Sequence, residues 1–490
     1  GRLSVGSFNT RELQVALGRD SGGWSQSYFF AKQDSDGHRD HSESEKYSAS
    51  AKWFYTPTGA DLTAGVIVRA YSHQAEEPGF LTASELAASR SQSPSTSLSS
   101  NLYFNTYPDD RKVTFTSNPA GSAPRQRRMW DEDQTGLMTT LTWRASDALV
   151  IDGGFNVEHQ DNRYRRYRYA YAVPTDFSKP VSTSNDDSYT LRNLGAYVQA
   201  VIKPIDSLKI IPGFRADKFS GRTELHTTGA TASLQDYGWI SQPKFSVVYG
   251  VTPSTSVYAN WGRTFQILTG SRAPAYLTPG QAEFRPSINT GKEIGVKLKP
   301  LADTEVRVAV WQQDATDEVA NMPSTGTTVG LGQTRRKGVD FQATGRVTDK
   351  LKLWLSHSLQ EATVQRAFTA GGVSLAGKEV FSTPRYISNV GAEYQATEKW
   401  RISLQGRAQG SYYIDDLNAR GKPGGFVLFD TSVRYALTKA ASLDLQLKNL
   451  TDRKYEYVWY DNFFWPAGSE QPMYSPGPGR SAYLSLNLKM

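Results

Sequence analysis

From Ser481 to Lys489 the chain alternates strictly: Ala482, Leu484, Leu486 and Leu488 share one parity, while Ser481, Tyr483, Ser485, Asn487 and Lys489 share the other. A repeat of two residues is the signature of a strand with one apolar and one polar face. The preceding strand-like segment repeats the division, with Leu443, Leu445 and Leu447 against Asp444, Gln446 and Lys448. Two architectures share such alternation. A soluble propeller or sandwich turns the apolar face inward, and a transmembrane barrel turns it outward to lipid.

The lengths of the connections separate the two. Short turns rich in Pro, Asp, Thr and Ser fall at 56–60, 145–148, 204–207, 251–255, 300–303, 347–350, 396–399 and 437–441. Between them lie long polar and aromatic connections at 73–95, 266–289, 315–332, 365–382 and 451–478. Short turns on one side and long loops on the other are the pattern of an outer-membrane barrel, whereas a soluble sandwich has no reason to sort loops by side. The short turns are assigned to the periplasm and the long loops to the exterior.

Composition agrees with this assignment. The 490 residues contain no run approaching the 18 apolar residues of a membrane helix. Only 38% of residues are hydrophobic, yet 26 are Tyr and 11 are Trp, which suits a polar lumen with aromatic girdles. Parity within other strands also gives a charged interior: Val306, Val308 and Val310 oppose Glu305, Arg307 and Trp311, and Ile402 and Leu404 oppose Arg401, Ser403, Gln405 and Arg407. Those charges require water or a polar plug against them, because an unpaired charge in a dry core is costly. Reading Ser97–Phe104 and Lys112–Asn118 as a hairpin around "NTYPDDR" brings the expected total to 22 strands, and omitting it gives 20. The stretch "GFLTASELAASR" at 79–90 reads as a short helix or as coil. The expectation is therefore an all-β fold, one transmembrane antiparallel barrel of about 22 strands over residues 1–490. A barrel of that width is plugged in importers.

Absence narrows the chemistry. Without Cys there is no disulfide framework and no thiolate chemistry, and no nucleophile elbow, Gly-rich phosphate loop or HExxH motif occurs. The acidic pairs Asp186/Asp187 and Asp415/Asp416 are adjacent, which on a strand points them to opposite faces, so they read as solvated loop residues rather than acid/base partners. No enzyme and no resident cofactor or metal is called for. The net charge of +7 is dispersed, compatible with an anionic ligand or lipopolysaccharide and not with nucleic acid.

Several segments carry a family resemblance. "LKNLTDRKYEYV" at 447–458 followed by "GRSAYLSLNLKM" resembles the closing region of the TonB-dependent outer-membrane receptors, as do "NTGKEIGVKL" at 289–298, "RRKGVDFQATGRVTDKLKLWLSHS" at 335–358 and "SVYANWGRTFQ" at 256–266. The resemblance covers the barrel portion and not the N-terminal plug, and the chain ends at Met490 where the family's barrels usually end in Phe. It implies a bacterial outer-membrane importer, driven by the TonB complex through a plug outside this sequence, for a scarce nutrient such as a ferric siderophore or similar metal chelate. A passive porin, or an importer of cobalamin or another organic cofactor, is the alternative.

The sharpest ligand candidate is "QDNRYRRYRYAYA" at 160–172. With Leu149, Ile151, Phe155 and Val157 facing lipid, parity turns Asp152, Asn156, Glu158, Tyr164, Arg166 and Arg168 inward and Arg163, Arg165, Tyr167 and Tyr169 outward. Inward Tyr and Arg suit a delocalised anion through charge-assisted bonds and stacking, while the bland reading gives Arg to lipopolysaccharide phosphates and Tyr to the girdle. "PRQRRMWDEDQ" at 124–134 adds Arg128 and Trp130 as candidates, against the reading of a self-paired surface loop. "DSDGHRDHSESE" at 34–45 places His38 and His41 among carboxylates, a set that reads as a solvated loop before a divalent-metal site. The aromatics of "YVWYDNFFWPAG" at 457–468 read as an outer collar or as substrate contacts.

Overall fold

The computed structural model describes residues 1–36, 44–55, 62–76, 96–114, 125–169, 177–267, 276–277, 285–322, 327–369, 372–460 and 472–489. His38, His41, the 79–90 stretch and residues 461–468 of the aromatic connection lie outside them. Every described strand but two joins a single sheet of 23 strands, the exceptions being the hairpin Glu456–Tyr460 with Pro472–Pro476. The sheet closes on itself. Arg2–Gly6 pairs with Thr10–Ser21 on one side and with Ser481–Leu488 on the other, Ser4 opposite Ser485. Two of the 23, Ala230–Leu234 and Tyr276–Leu277, lie alongside its upper end, so the described ring has 21 members.

An odd ring cannot be antiparallel at every step, and the exception is explicit: Leu62–Glu76 runs parallel to Thr96–Thr114, with all other ring neighbours antiparallel. This corrects the sequence reading locally. The expected hairpin is one continuous strand, Thr96–Thr114, and Pro108-Asp109-Asp110 lies within it and does not turn the chain. The expected loop at 315–332 is likewise shorter, because strands Thr304–Met322 and Thr327–Thr348 carry their pairing through it across register shifts at Ala315 and Glu318. The other short turns that fall among the described residues connect strands where expected, as at Ala148, Ser207, Ser254, Lys350, Thr397 and Thr438, and the turn expected at 56–60 lies outside those residues.

Parity settles the faces. Ile294, Val310, Val339 and Leu359 stand opposite one another on successive strands and are 63%, 55%, 41% and 51% exposed, an apolar band with no protein against it. Aromatic pairs close that band at the periplasmic end, Trp24 on Tyr55 at 4.8 Å and Trp400 on Tyr435 at 4.6 Å. The other parity faces the lumen and is polar and internally bonded. Arg307 donates to Tyr258 Oη and Glu293 Oε1, both at 2.6 Å. Arg434 forks Asp444 at 2.6 and 2.7 Å while Asn487 donates to the same carboxylate at 2.7 Å. Several lumen aromatics lie flat over a glycine on the next strand, as Tyr258 does over Gly295 and Trp354 over Gly391, where a Cβ would collide with the ring.

Above the C-terminal strands the external loops form a packed cap. Leu331, Ala362, Val364, Ala367, Leu375 and Val380 make a small buried core of their own. Asn418, with φ at 56°, accepts Glu379 N–H at 2.6 Å and donates to its carbonyl at 3.0 Å. Burial raises the Glu379 carboxyl, but hydrogen bonds from Arg385 and Lys422 outweigh it and hold the group below its ordinary value. Asp415 and Asp416 are 2% and 3% exposed, which overturns their reading as solvated: Asp415 accepts the backbone N–H groups of Ala419 and Arg420, both at 3.0 Å.

Candidate functional site

Two arcs of the barrel are tall, one of them Thr304–Met322 with Thr327–Thr348, and the other carries the candidate residues. Thr96–Thr114, Arg125–Ser146, Leu149–Tyr169 and Ser182–Ile205 run 19, 22, 21 and 24 residues. A tilted strand needs only about 10 residues to cross the hydrocarbon, and the periplasmic turns are short. The upper halves of these strands therefore stand outside the membrane as a wall.

The inner face of that wall gathers all five candidate residues. Trp130 stands opposite Tyr164, Arg128 opposite Arg166 and Gln126 opposite Arg168, on the parity that carries Asn156 and Glu158 into the lumen lower down. The segment 125–134 is thus strand, not the surface loop weighed as its alternative. The same registers bring in residues that sequence reasoning did not name. Arg111, Arg128 and Arg166 form one row across three adjacent strands and meet Asn185 on the fourth, and Asp109, Trp130, Tyr164 and Asp187 form the next row down. Like charges directly opposite one another oppose folding, so a row of three guanidiniums calls for anions.

Protein groups bond to all three. Arg111 Nε lies 2.8 Å from Asp109 Oδ2. Arg166 Nε donates to Gln126 Oε1 at 2.7 Å, Arg128 Nε and Nη2 to the same oxygen at 3.3 and 3.2 Å, and Arg168 Nε to Ser184 Oγ at 3.0 Å. Asp187 is fully buried, accepts Asn185 Nδ2 at 2.8 Å and is no more a solvated loop acid than Asp415.

Below the arginines the wall turns aromatic. The Trp130 indole N–H donates to Glu132 at 3.2 Å, and its ring meets Tyr164 at 5.5 Å and Tyr189 at 5.7 Å. Tyr189, Leu191, Ala232 and Leu234 are buried together, with Trp130, Phe219 and Tyr237 packed on them. Burial pushes the Tyr237 phenol up to about 12. A lumen read as polar thus carries a small buried apolar cluster near its mouth, below the arginine row.

The outer face of the same strands differs in kind. Arg163 pairs with Asp186 at 3.1 Å, Arg127 with Asp110 at 2.7 Å, and Arg165 with Asp131. Arg125, 1% exposed, lies beneath the Phe177 ring at 4.2 Å. Each of these three ion pairs binds its arginine to an acid within the protein.

Comparison with known proteins places this architecture. The family model described as TonB dependent receptor-like, beta-barrel matches residues 4–450. A metal-pseudopaline receptor of Pseudomonas aeruginosa is 27% identical over 255 residues, covering 50% of this chain and 33% of the relative. A probable TonB-dependent siderophore receptor of Acinetobacter baumannii is 20% identical over 316 residues, covering 58% and 40%. The chain thus spans about a third of the length of the first of these relatives. Among solved structures, the unliganded ferric citrate transporter FecA superposes with a TM-score of 0.76 at 18% identity, covering 100% of this chain and 78% of that one. The copper transporter OprC gives 0.74 at 15%, covering 99% and 79%. The chain belongs to the TonB-dependent receptors, as a transmembrane β-barrel of the bacterial outer membrane.

Proposed function

We infer that the protein takes up an anionic metal chelate, of ferric-siderophore type, which it captures on the inner face of the tall wall. The observation that carries this reading is the row Arg111, Arg128 and Arg166 standing over the half-buried rings of Trp130 and Tyr164. Guanidiniums bind carboxylate, catecholate or hydroxamate oxygens through charge-assisted bonds, and the rings receive an organic backbone. The relatives named for metal and siderophore receptors support the same class. Uptake is driven by the TonB complex acting on a plug inside the barrel, and the outer face meets outer-membrane lipid and lipopolysaccharide.

Alanine variants test the site. Replacing Tyr164, Arg166 or Arg168 is expected to weaken chelate binding about ten- to a hundredfold, the loss of one charge-assisted contact. Replacing Arg163 or Arg165, which bond to acids on the outer face, is expected to change it less than about threefold. Equal effects from both sets would sink the assignment of faces. Uptake that continues without TonB would replace the importer by a passive channel.

A further inference from the structure

Deepening the outer-face contact named above, and independently of the chelate site, we propose that Arg192, Lys218 and Arg222 form a seat for the phosphate of an outer-leaflet glycolipid, grouped around the Ser220 hydroxyl.

The strands that carry these residues fix their height. On Leu149–Tyr169, Ser182–Ile205 and Leu208–Leu225 every outward residue is apolar over 149–157, 194–202 and 208–216, and a tilted strand needs about 9–11 residues to cross the hydrocarbon. Leu194, Val198 and Phe214 in that band are 45%, 49% and 49% exposed. Lys218 stands directly opposite Leu194, so it is the first outward residue of its strand above the band. One step higher on the same face, Arg192 stands opposite Ser220, and Lys218 and Arg222 flank that serine. Both therefore lie on diagonals from Arg192, about 7–8 Å away.

All three cations are exposed, and none makes an ion pair or side-chain hydrogen bond among the described residues. The acids beside them are engaged with histidines. Asp161, on a diagonal from Arg192, lies 3.1 Å from His159, and Glu224, next after Arg222 on that face, lies 3.7 Å from His226. Other outward cations differ. Just above the band on Thr327–Thr348, Lys337 pairs with Glu361 at 3.2 Å and Arg335 with Asp314 at 2.6 Å. Arg163 and Arg165, weighed from the sequence as lipopolysaccharide contacts, are likewise bound to acids. The open charge thus lies lower on the wall, at the height of the lipid headgroups. Like charges grouped on one face repel, and a phosphate monoester relieves that repulsion by accepting from both arginines and the lysine. A free phosphate would meet the cations alone, whereas the exposed apolar residues directly below them give a lipid's acyl chains a surface to lie on.

The protein in detergent would be incubated with diphosphorylated lipid A, with phosphatidylcholine as the zwitterionic control and inorganic phosphate as competitor, and the lipid retained after gel filtration would be counted by native mass spectrometry. Each Lys or Arg beside an anionic headgroup contributes about fivefold in affinity, so R192Q, K218Q and R222Q are each expected to weaken lipid A retention about fivefold and the triple variant about a hundredfold, with phosphatidylcholine unchanged. R335Q and K337Q, which remove cations already paired, are expected to stay within about twofold. The heat-modifiable band on a gel reports folding, and the single variants carry the test if the triple variant does not fold. Equal retention of lipid A by the natural sequence, R192Q and R222Q overturns the seat. Displacement of lipid A by inorganic phosphate at equal concentration overturns the lipid as its occupant. Chelate binding measured on the same variants is expected to be unchanged, so failure of either site leaves the other standing.

Discussion

Asp217→Ala is expected to lower the unfolding free energy of the barrel by about 1.5–3 kcal/mol, the range for hydrogen bonds to a charged group, since the Arg215 it leaves behind is a third exposed and can hydrate. Asp217 is 2% exposed on the lumen face of Leu208–Leu225. Its carboxylate accepts Arg215 Nε at 2.7 Å and Nη2 at 2.6 Å, Asn193 Nδ2 at 3.2 Å and Gln242 Nε2 at 2.7 Å. Arg215 also donates to Asn156 at 2.6 Å, and Asn156 to Asn193 at 2.5 Å, so one acid joins four consecutive strands. Its removal leaves a guanidinium and two amides without their acceptor. Asp217→Asn keeps the shape but turns a donor toward other donors, and should fall between. Urea unfolding in detergent, followed by tryptophan fluorescence, measures both. A midpoint for Asp217→Ala within error of the natural sequence would show that the node contributes nothing.

Asn449→Ala is expected to cost about 3 kcal/mol or more, from hydrogen bonds lost by buried groups plus a left-handed backbone that Ala adopts poorly. Asn449 is 4% exposed with φ at 50°. Its amide donates to the carbonyls of Arg453 at 2.9 Å and Pro478 at 3.2 Å, and its Oδ1 accepts Arg453 N–H at 2.8 Å. Its own N–H donates to Asp430 at 2.7 Å, while Asp452, also left-handed, accepts Arg480 N–H at 2.8 Å. The knot draws the long 449–480 connection to a single point above the last strands. Asn449→Gly removes the side chain but relieves the backbone, so it should recover part of the loss. Equal midpoints for the Ala and Gly variants would show that the φ angle carries no weight.

This knot coincides with "LKNLTDRKYEYV", the segment that most resembled the family, and the coincidence shows what was legible in the sequence. Strand faces were readable because alternation is local: the parities assigned to Leu149–Val157, Val306–Val310 and Ala482–Leu488 hold in the sheet. Short turns were readable from Pro, Asp and Thr. The 96–114 strand was misread because Pro108-Asp109-Asp110 resembles a turn, although above the membrane nothing forbids polar residues in a strand. That misreading also hid Arg111, which stands beside Arg128 only if the strand is unbroken. Gln126, Tyr189 and Asp187 carry no signal of their own. They join the site through register, which connects residues about sixty positions apart and is absent from any local pattern. Asp415 and Asp416 looked solvated because burial in a loop depends on what other loops cover.

The seam where the ring closes has a consequence for the order of assembly. Ser4 and Ser485 share a hydroxyl hydrogen bond at 2.8 Å across 481 positions, and Gly1 N donates to the Leu488 carbonyl at 2.8 Å across 487. Joining ends that far apart in a flexible chain costs about 5 kcal/mol in loop entropy, since the penalty grows as the logarithm of length. The five paired residues of Arg2–Gly6 are too few to meet that cost alone. Hairpins with neighbours close in sequence shorten the effective loop when they form first, so the seam is expected to be the last contact to form.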